Sequence, residues 1–235
     1  MKYIIGSGWW CDGTGMHSHS KHQQYVDINT RKKPFFELWH KAIMKYSTPE
    51  KIIIIDSASP VKPDIKDKKN ISFYSLGKNF GAGIDGTQNL RLSGWDRGIL
   101  GSAALAFLEG HDYYVYIEQD CLIKGKGIIE YAISKMGGKP IMLGGGKGTP
   151  QPLQQSFIII KNEFIPEFLY KETKLTKEEL KKDCEARYLS HFKDKLCYLP
   201  YGHGRARPIN FNDQYFYAQH LRTEELERFK KFLDA

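Results

Sequence analysis

Apolar residues along the chain alternate between two periods, and the switches mark the elements. The stretch "MKYIIGS" opens as a short strand. In "KPFFELWHKAIMKYS" the apolar side chains fall at 35, 39, 42 and 46, with 36 and 43 beside them, the spacing of one helix face. "EKIIIIDSAS" runs four isoleucines into Asp56, the pattern of a strand covered on both faces. "NISFYSLG" predicts another strand, closing at Gly77. "WDRGILGSAALAFLEGHD" predicts a helix rich in small residues, with Asp96 as candidate N-cap and Gly110 as its stop. A run of β-formers, "YYVYIEQDCLI", follows, with a strand expected over 113–119 and Asp120 at its exit. "KPIMLGG" and "QQSFIIIK" read as strands. "TKEELKKDCEARYLSHF" reads as one helix, opened by a Thr176/Glu179 capping box and burying 180, 184, 188 and 192. "KLCYLPYG" predicts a strand and "TEELERFKKFL" a last helix.

Strands alternating with helices imply an α/β domain with a mostly parallel central sheet flanked by helices, Rossmann-like, over residues 1–235. Sheets of this kind bind ligands beyond the carboxyl ends of their strands. By that rule Ser7, Asp56, Ser57, Gly77, Lys78, Asn79, Glu118 and Asp120 face one crevice.

The pair at 118 and 120 carries the most chemistry. In an extended strand two residues one apart point to the same side. Like charges held together repel, and burial of either alone is unfavourable. A divalent cation relieves both effects, and carboxylate oxygens suit Mg²⁺ or Mn²⁺, which commonly take one or two protein carboxylates plus phosphate oxygens. The plain alternative is a strand leaving the core into solvent.

"DRGILGSAALAFLEGHDYYVYIEQDCLI" resembles the centre of the GT-A glycosyltransferases, the nucleotide-sugar-dependent enzymes, in which a small-residue helix leads into a strand ending in D-x-D. "KIIIIDSASP" followed by "ISFYSLGKNFGAG" is similar to that family's second and third strands. The resemblance spans roughly residues 1–205 and rests on the order of short motifs. It departs from the family at Glu118, where an Asp is usual. It implies a GT-A-like fold with a nucleotide-sugar half over about 1–125 and an acceptor half over about 126–235. It further implies transfer from a nucleotide-diphosphate sugar to a glycan or other hydroxyl acceptor, assisted by Mn²⁺ or Mg²⁺. Glu118, Asp120 and, from "YGHGRARPINF", His203 are the implied metal ligands, with a phosphate contact as the other reading of His203. Ser7, Asp56, Ser57, Asn79, Arg97, Gln119, Arg205 and Arg207 are the candidate donor contacts. Asp183, with Arg187 four residues on, looks like the family's acceptor-activating acid, with Glu185 and Asp213 as alternatives. A plain surface ion pair is the competing reading of Asp183 and Arg187.

The remaining features narrow the picture little. The net charge of +8 allows an anionic substrate, but the lysine-rich stretches "VKPDIKDKKN" and "KETKLTKEELKK" mix in acids, as solvated surfaces do. No RNP1, zinc-finger or basic-zipper pattern appears, so no nucleic-acid partner is expected. Four widely spaced cysteines, none in C-x-x-C, are expected to be reduced and partly buried. No apolar run approaches the ~20 residues of a membrane span, the first residues lack a signal-peptide pattern, and a cytoplasmic setting is the default expectation. Trp9 and Trp10 fit either a sugar platform or the core. His17, His19 and His22 lie in a segment that reads as flexible and near the acceptor. The glycine-rich "LGKNFGAGIDG" and "LGGGKGTP" match neither a P-loop nor a Rossmann fingerprint and fit crevice loops. Two rival functions stand: a nucleotidyltransferase acting on a sugar phosphate, against which the first strand is followed by no Arg or Lys before Lys21, and a non-catalytic carbohydrate- or anion-binding module.

Overall fold

The structure, a computed structural model, describes residues 1–14, 27–81 and 92–234. Seven strands form the main sheet: β1 (Tyr3–Trp9), β2 (Lys51–Asp56), β3 (Ile71–Ser75), β4 (Tyr113–Ile117), β6 (Ile141–Gly145), β7 (Leu153–Lys161) and β8 (Leu196–Tyr198). Their order is β3-β2-β1-β4-β7-β6-β8. All run parallel except β7, which is antiparallel to β4 and β6. The mixed, mostly parallel α/β sheet expected from the sequence is present. Because β4 pairs with β7, the sheet crosses the expected boundary near residue 125 without a break. A second, small sheet holds β5 (Cys121–Lys124), β10 (Phe216–Gln219) and β9 (His203–Gly204), in the order β5-β10-β9.

Strand alternation divides the core between the two faces. In β2, Ile52 and Ile54 pack on one face and Ile53 and Ile55 on the other. The first face is covered by α1 (Lys33–Tyr46), α3 (Ile128–Ser134), α7 (Thr223–Asp234) and the small sheet; the second by α2 (Gly94–Leu108), α4 (Ile165–Thr173) and α6 (Cys184–Phe192). Helix α1 buries Phe35, Phe36, Trp39, Ala42, Ile43 and Tyr46, the face that its periodicity marks. The small residues of α2 bring its backbone onto β1: a Cβ on Gly98 would stand 3.0 Å from the Cα of Gly8.

Three local expectations change. The N-cap of α2 is Ser93, and Asp96 is its reciprocal partner three residues on, bonding the Ser93 N–H and hydroxyl. The "TKEELKKDCEARYLSHF" helix is broken into α5 (Lys177–Leu180) and α6, and Asp183 is the N-cap residue of α6 rather than two turns inside a longer helix. The strand expected over 113–119 stops at Ile117, and residues 118–120 form a turn closed by the Cys121 N–H on the Glu118 carbonyl at 3.0 Å. All four cysteines are free thiols. No helix of the described residues is long and apolar enough to cross a membrane.

Candidate active site

The turn after β4 lies beside the carboxyl ends of β1 and β2, and it brings Glu118 and Asp120 to one side. They share a side because the turn folds them together, not because a strand alternates. One atom demonstrates their convergence: the side-chain Nε2 of Gln219, at the end of β10, donates to Glu118 Oε2 and, at 3.1 Å, to Asp120 Oδ1. Asp120 is fully buried and Glu118 is 8% exposed. The guanidinium of Arg31, at the end of a short 3-10 turn (Ile28–Arg31), covers Asp120 Oδ2 through Nε at 3.0 Å and a terminal nitrogen at 2.8 Å. His220 Nε2 stands 3.5 Å from the same oxygen. Burial, and after it the charge of Asp120, pushes the Glu118 carboxyl up to about 8, against the opposing pull of Arg31 and Arg205.

Gln119, between the two acids, faces away from them. Its amide accepts from the Trp10 N–H at 2.6 Å and donates to the Trp10 carbonyl at 2.9 Å, tying the chain after β1 to the turn. Trp9 is core: its indole N–H bonds the Val61 carbonyl at 2.9 Å and its ring meets Phe36 edge-on. Ser7 is buried within β1. Asp56, at the end of β2, is held by Lys62, by Ser75 and by the Ser59 N–H at 3.0 Å. Burial raises its pKa, but those bonds outweigh it and hold the carboxyl below the usual range. Ser57 Oγ accepts the Phe80 N–H at 3.1 Å and meets Asn79 Oδ1 at 3.2 Å, and Arg97 stacks on the Phe80 ring at 3.7 Å. Ser57, Asn79 and, from the first turn of α2, Arg97 therefore form one group at the β2 end.

The loop after β8 distributes its residues differently from the expectation. His203 pairs with Asp213 at 3.0 Å, and the histidine described beside Asp120 is His220. Arg207 is spent on the fold, bonding the carbonyls of Gly204, Ala206, Gln219 and His220 and ion-pairing with Glu225 at 2.7 Å. Arg205 is placed at the site: it pairs with Glu185 at 2.7 Å, and both are close enough to shift the Glu118 carboxyl. Glu185 is buried in the first turn of α6, and its other oxygen accepts the Cys184 thiol at 3.1 Å. Asp183 is exposed, and Arg187 does not pair with it. Arg187 turns inward instead, to Asp96 at 2.6 Å and Glu172 at 3.4 Å. Of the three acids considered for acceptor activation, Glu185 is the one whose charge bears on the Glu118 carboxyl. Sequence reasoning assigned no site role to Arg31, Gln219 or His220. The available signal was the placement of "QH" after the buried strand "YFYA", which parallels "EQD" after "YYVYI". His17, His19 and His22 lie outside the described residues.

Among the described residues no three His, Cys, Asp or Glu side chains gather as a metal-holding group. The acid pair itself nevertheless fits a hard divalent cation: two carboxyls converge on one point, the charge of Asp120 works against ionisation of Glu118 with no cation between them, and Gln219 Oε1 beside the pair is buried with no described hydrogen-bond partner. Glu118 and Asp120 would hold such an ion.

No protein-family profile matches the chain, and no curated protein matches its sequence. Solved structures do match its fold. HddC from Yersinia pseudotuberculosis superposes with a TM-score of 0.55 at 13% identity, over 99% of this chain and 100% of its own. A proposed glucose-1-phosphate thymidylyltransferase from Bacillus anthracis, with sucrose bound, gives 0.52 at 10% identity, over 99% and 94%. The mannosyltransferase PcManGT from Pyrobaculum calidifontis, in complex with GDP-Man and Mn²⁺, gives 0.50 at 9% identity, over 84% of this chain and 54% of its own. At these identities the likeness is one of fold: the chain has the GT-A-like fold on which both nucleotidyl- and glycosyltransferases are built.

Proposed function

We propose that the protein is a transferase that moves a sugar from a nucleotide-diphosphate sugar to a hydroxyl acceptor, with Mn²⁺ or Mg²⁺ at Glu118 and Asp120. The observation that carries the reading is the acid pair, buried and convergent beyond the central strand of a GT-A-like sheet. When bound, the cation would hold the diphosphate and stabilise charge on the departing nucleotide. The rest is assigned to the chain's own side chains. Arg205, 20% exposed and beside the acid pair, is the diphosphate contact. Ser57, Asn79 and Arg97, grouped beyond β2, contact the nucleoside or its phosphates. Glu185 takes the proton of the acceptor hydroxyl as that oxygen attacks the anomeric carbon, and Arg205, its partner, sets the carboxylate's orientation.

Nucleotidyl transfer to a sugar phosphate is the second reading. HddC and the Bacillus protein match over nearly their whole lengths, and the latter bears a thymidylyltransferase description. A buried carboxylate whose charge reaches Glu118 favours glycosyl transfer, because a hydroxyl acceptor needs a base and a sugar phosphate does not. The two are separated by product. Incubation with a panel of nucleotide-diphosphate sugars and Mn²⁺ is expected to release nucleoside diphosphate, slowly to water and faster with acceptor. Pyrophosphate release from a nucleoside triphosphate and a sugar 1-phosphate, with no turnover of nucleotide sugars, overturns the proposal.

A further inference from the structure

Gln219 lies nearest the acid pair, and its two side-chain atoms are in opposite situations. Nε2 reaches both carboxylates. Oε1 is buried and accepts no hydrogen bond from any described residue, and the residue as a whole is 3% exposed. A buried carbonyl oxygen without a donor is unfavourable and calls for an explanation. The strand provides one. Antiparallel pairing of β10 with β5 sets Gln219 opposite Cys121, the residue after Asp120, so the side chain is delivered to the turn by sheet register rather than by a loop. A half-rotation about the last side-chain bond exchanges Nε2 and Oε1. With no cation present, the N–H donors belong against the acid pair, because the amide oxygen there would face the charged Asp120 carboxylate. With a cation between the carboxylates, the order reverses: the N–H group would point at a positive ion and the oxygen is the correct ligand.

We propose that Gln219 is the third protein ligand of the cation, through Oε1, and that its amide turns over when the ion binds. The proposal rests on the reading that a cation binds at Glu118 and Asp120. It replaces His203, held on Asp213, with a residue already in place. The reach agrees: the Gln219 side chain already contacts both carboxyls that would hold the ion. The set becomes two carboxylates and one amide oxygen, all hard donors of the kind these ions prefer. In the ion-free state the same side chain, together with Arg31, keeps the two carboxyls in register for the incoming ion.

The test is Mn²⁺ titration of the full chain by calorimetry, with Mn²⁺ alone as the probe. Gln219→Leu removes both the bridge and the oxygen. If Gln219 is a ligand, this variant binds Mn²⁺ about tenfold or more weakly than the wild type, while Gln219→Glu, which retains an oxygen there, binds at least as tightly. Unchanged or tighter binding by Gln219→Leu overturns the inference, because an N–H bridge that merely competes with the ion gives that result. Should Gln219→Leu not fold, the wild type decides: in ¹⁵N-labelled protein the Gln219 side-chain NH₂ resonance shifts on saturation with Mg²⁺ as its carboxylate hydrogen bonds are lost, and a resonance that stays in place at saturation overturns the inference. Mn²⁺ binding to the wild type with no effect of Gln219 refutes this inference alone. No Mn²⁺ binding to the wild type refutes it together with the metal-assisted reading.

Discussion

Two strands flank β1 in the sheet, and each ends in a buried acid: Asp56 after β2 and the Glu118/Asp120 pair after β4. In position they are equivalents; in electrostatics they are opposites. Asp56 finds its donors within a few residues or on the adjacent strand, in Ser59, Lys62 and Ser75, and its carboxyl is held low. Glu118 and Asp120 draw the donors described for them from elsewhere in the chain. The amide between them is committed to Trp10, and their donors come from Arg31 and Gln219, distant in the chain. The result is one carboxyl raised to about 8. A strand-end acid supplied with local donors clamps a turn. One set beside a like charge, with borrowed donors, is poised to exchange them for a ligand.

Asp120→Asn tests this contrast with the largest expected effect. Mn²⁺-dependent binding of a nucleoside diphosphate falls at least about 100-fold, beyond ready detection by calorimetry, because one of the two carboxylate ligands is gone. Removing one of two repelling charges would by itself stabilise the ion-free protein. Arg31 reverses that expectation: its buried partner is Asp120, and taking the charge away leaves a guanidinium 25% exposed and without its counter-ion. A lower melting temperature for Asp120→Asn is therefore expected, and a higher one would mean that Arg31 contributes nothing.

Asp56→Ala is the mirror experiment. It removes three hydrogen bonds to a buried carboxylate and leaves Lys62 without its partner. The expected loss is about 3 kcal/mol in chemical denaturation, with Mn²⁺ affinity unchanged. A weakened Mn²⁺ affinity in a variant that remains folded would place Asp56 at the site and erase the distinction between the two strand ends.

How far the chain disclosed this in advance follows the range of the interactions. The periodicity of α1 and the isoleucine run of β2 predict what they bury, because helix and strand periods are local and the core reads them directly. The acid pair was visible because it sits within three residues. What failed was whatever depends on partners far along the chain. The break before α6 belongs with a cluster in which Arg187 turns to Asp96 and Glu172, and His191 bridges Glu172 and Glu179; nothing in "KKDCEARY" announces partners on α2 and α4. Gln219 meets Glu118 across 101 residues, and Arg31 meets Asp120 across 89. His203 came from the resemblance of a short local motif, whereas the register of β10 on β5 decides which late residues reach the turn.

Glu118→Gln sharpens the comparison through pH. A carboxyl raised from 4.5 to about 8 keeps its proton in the folded protein over a range where the unfolded chain has lost it. The folded state then binds more protons, so stability is fully present below about 4.5 and declines as pH rises toward 8. Asp56 has the opposite sign: its stabilisation is present above the ordinary carboxyl range and is lost as pH falls through its depressed value. In metal-free buffer the wild type is expected to lose roughly 3–4 kcal/mol more than Glu118→Gln between pH 5 and pH 8. Parallel pH profiles for the two proteins would mean that Glu118 is ionised throughout, and the site would then resemble the β2 end after all.

Ser75→Ala carries the smallest effect and probes the β2 end alone. Ser75 is an exposed position on β3, and its hydroxyl donates to Asp56 while lying 3.0 Å from the Lys62 ammonium. Deleting it removes one donor of three and leaves no buried group unpaired, since the Ser59 N–H and Lys62 still hold the carboxylate. The expected cost is about 0.5–1 kcal/mol, the range for a single hydrogen bond that water can partly replace. The loss should shrink at acid pH, because a weaker donor set lets Asp56 take up its proton earlier and the two proteins converge once both are protonated. The acid limb of the stability profile should therefore begin at higher pH in Ser75→Ala than in the wild type. A cost above about 2 kcal/mol would show that the three donors act as one cooperative unit; the β2 end would then be as dependent on a single bridging group as the acid pair is on Gln219, and local supply of donors would no longer explain why one strand end is a clamp and the other a site.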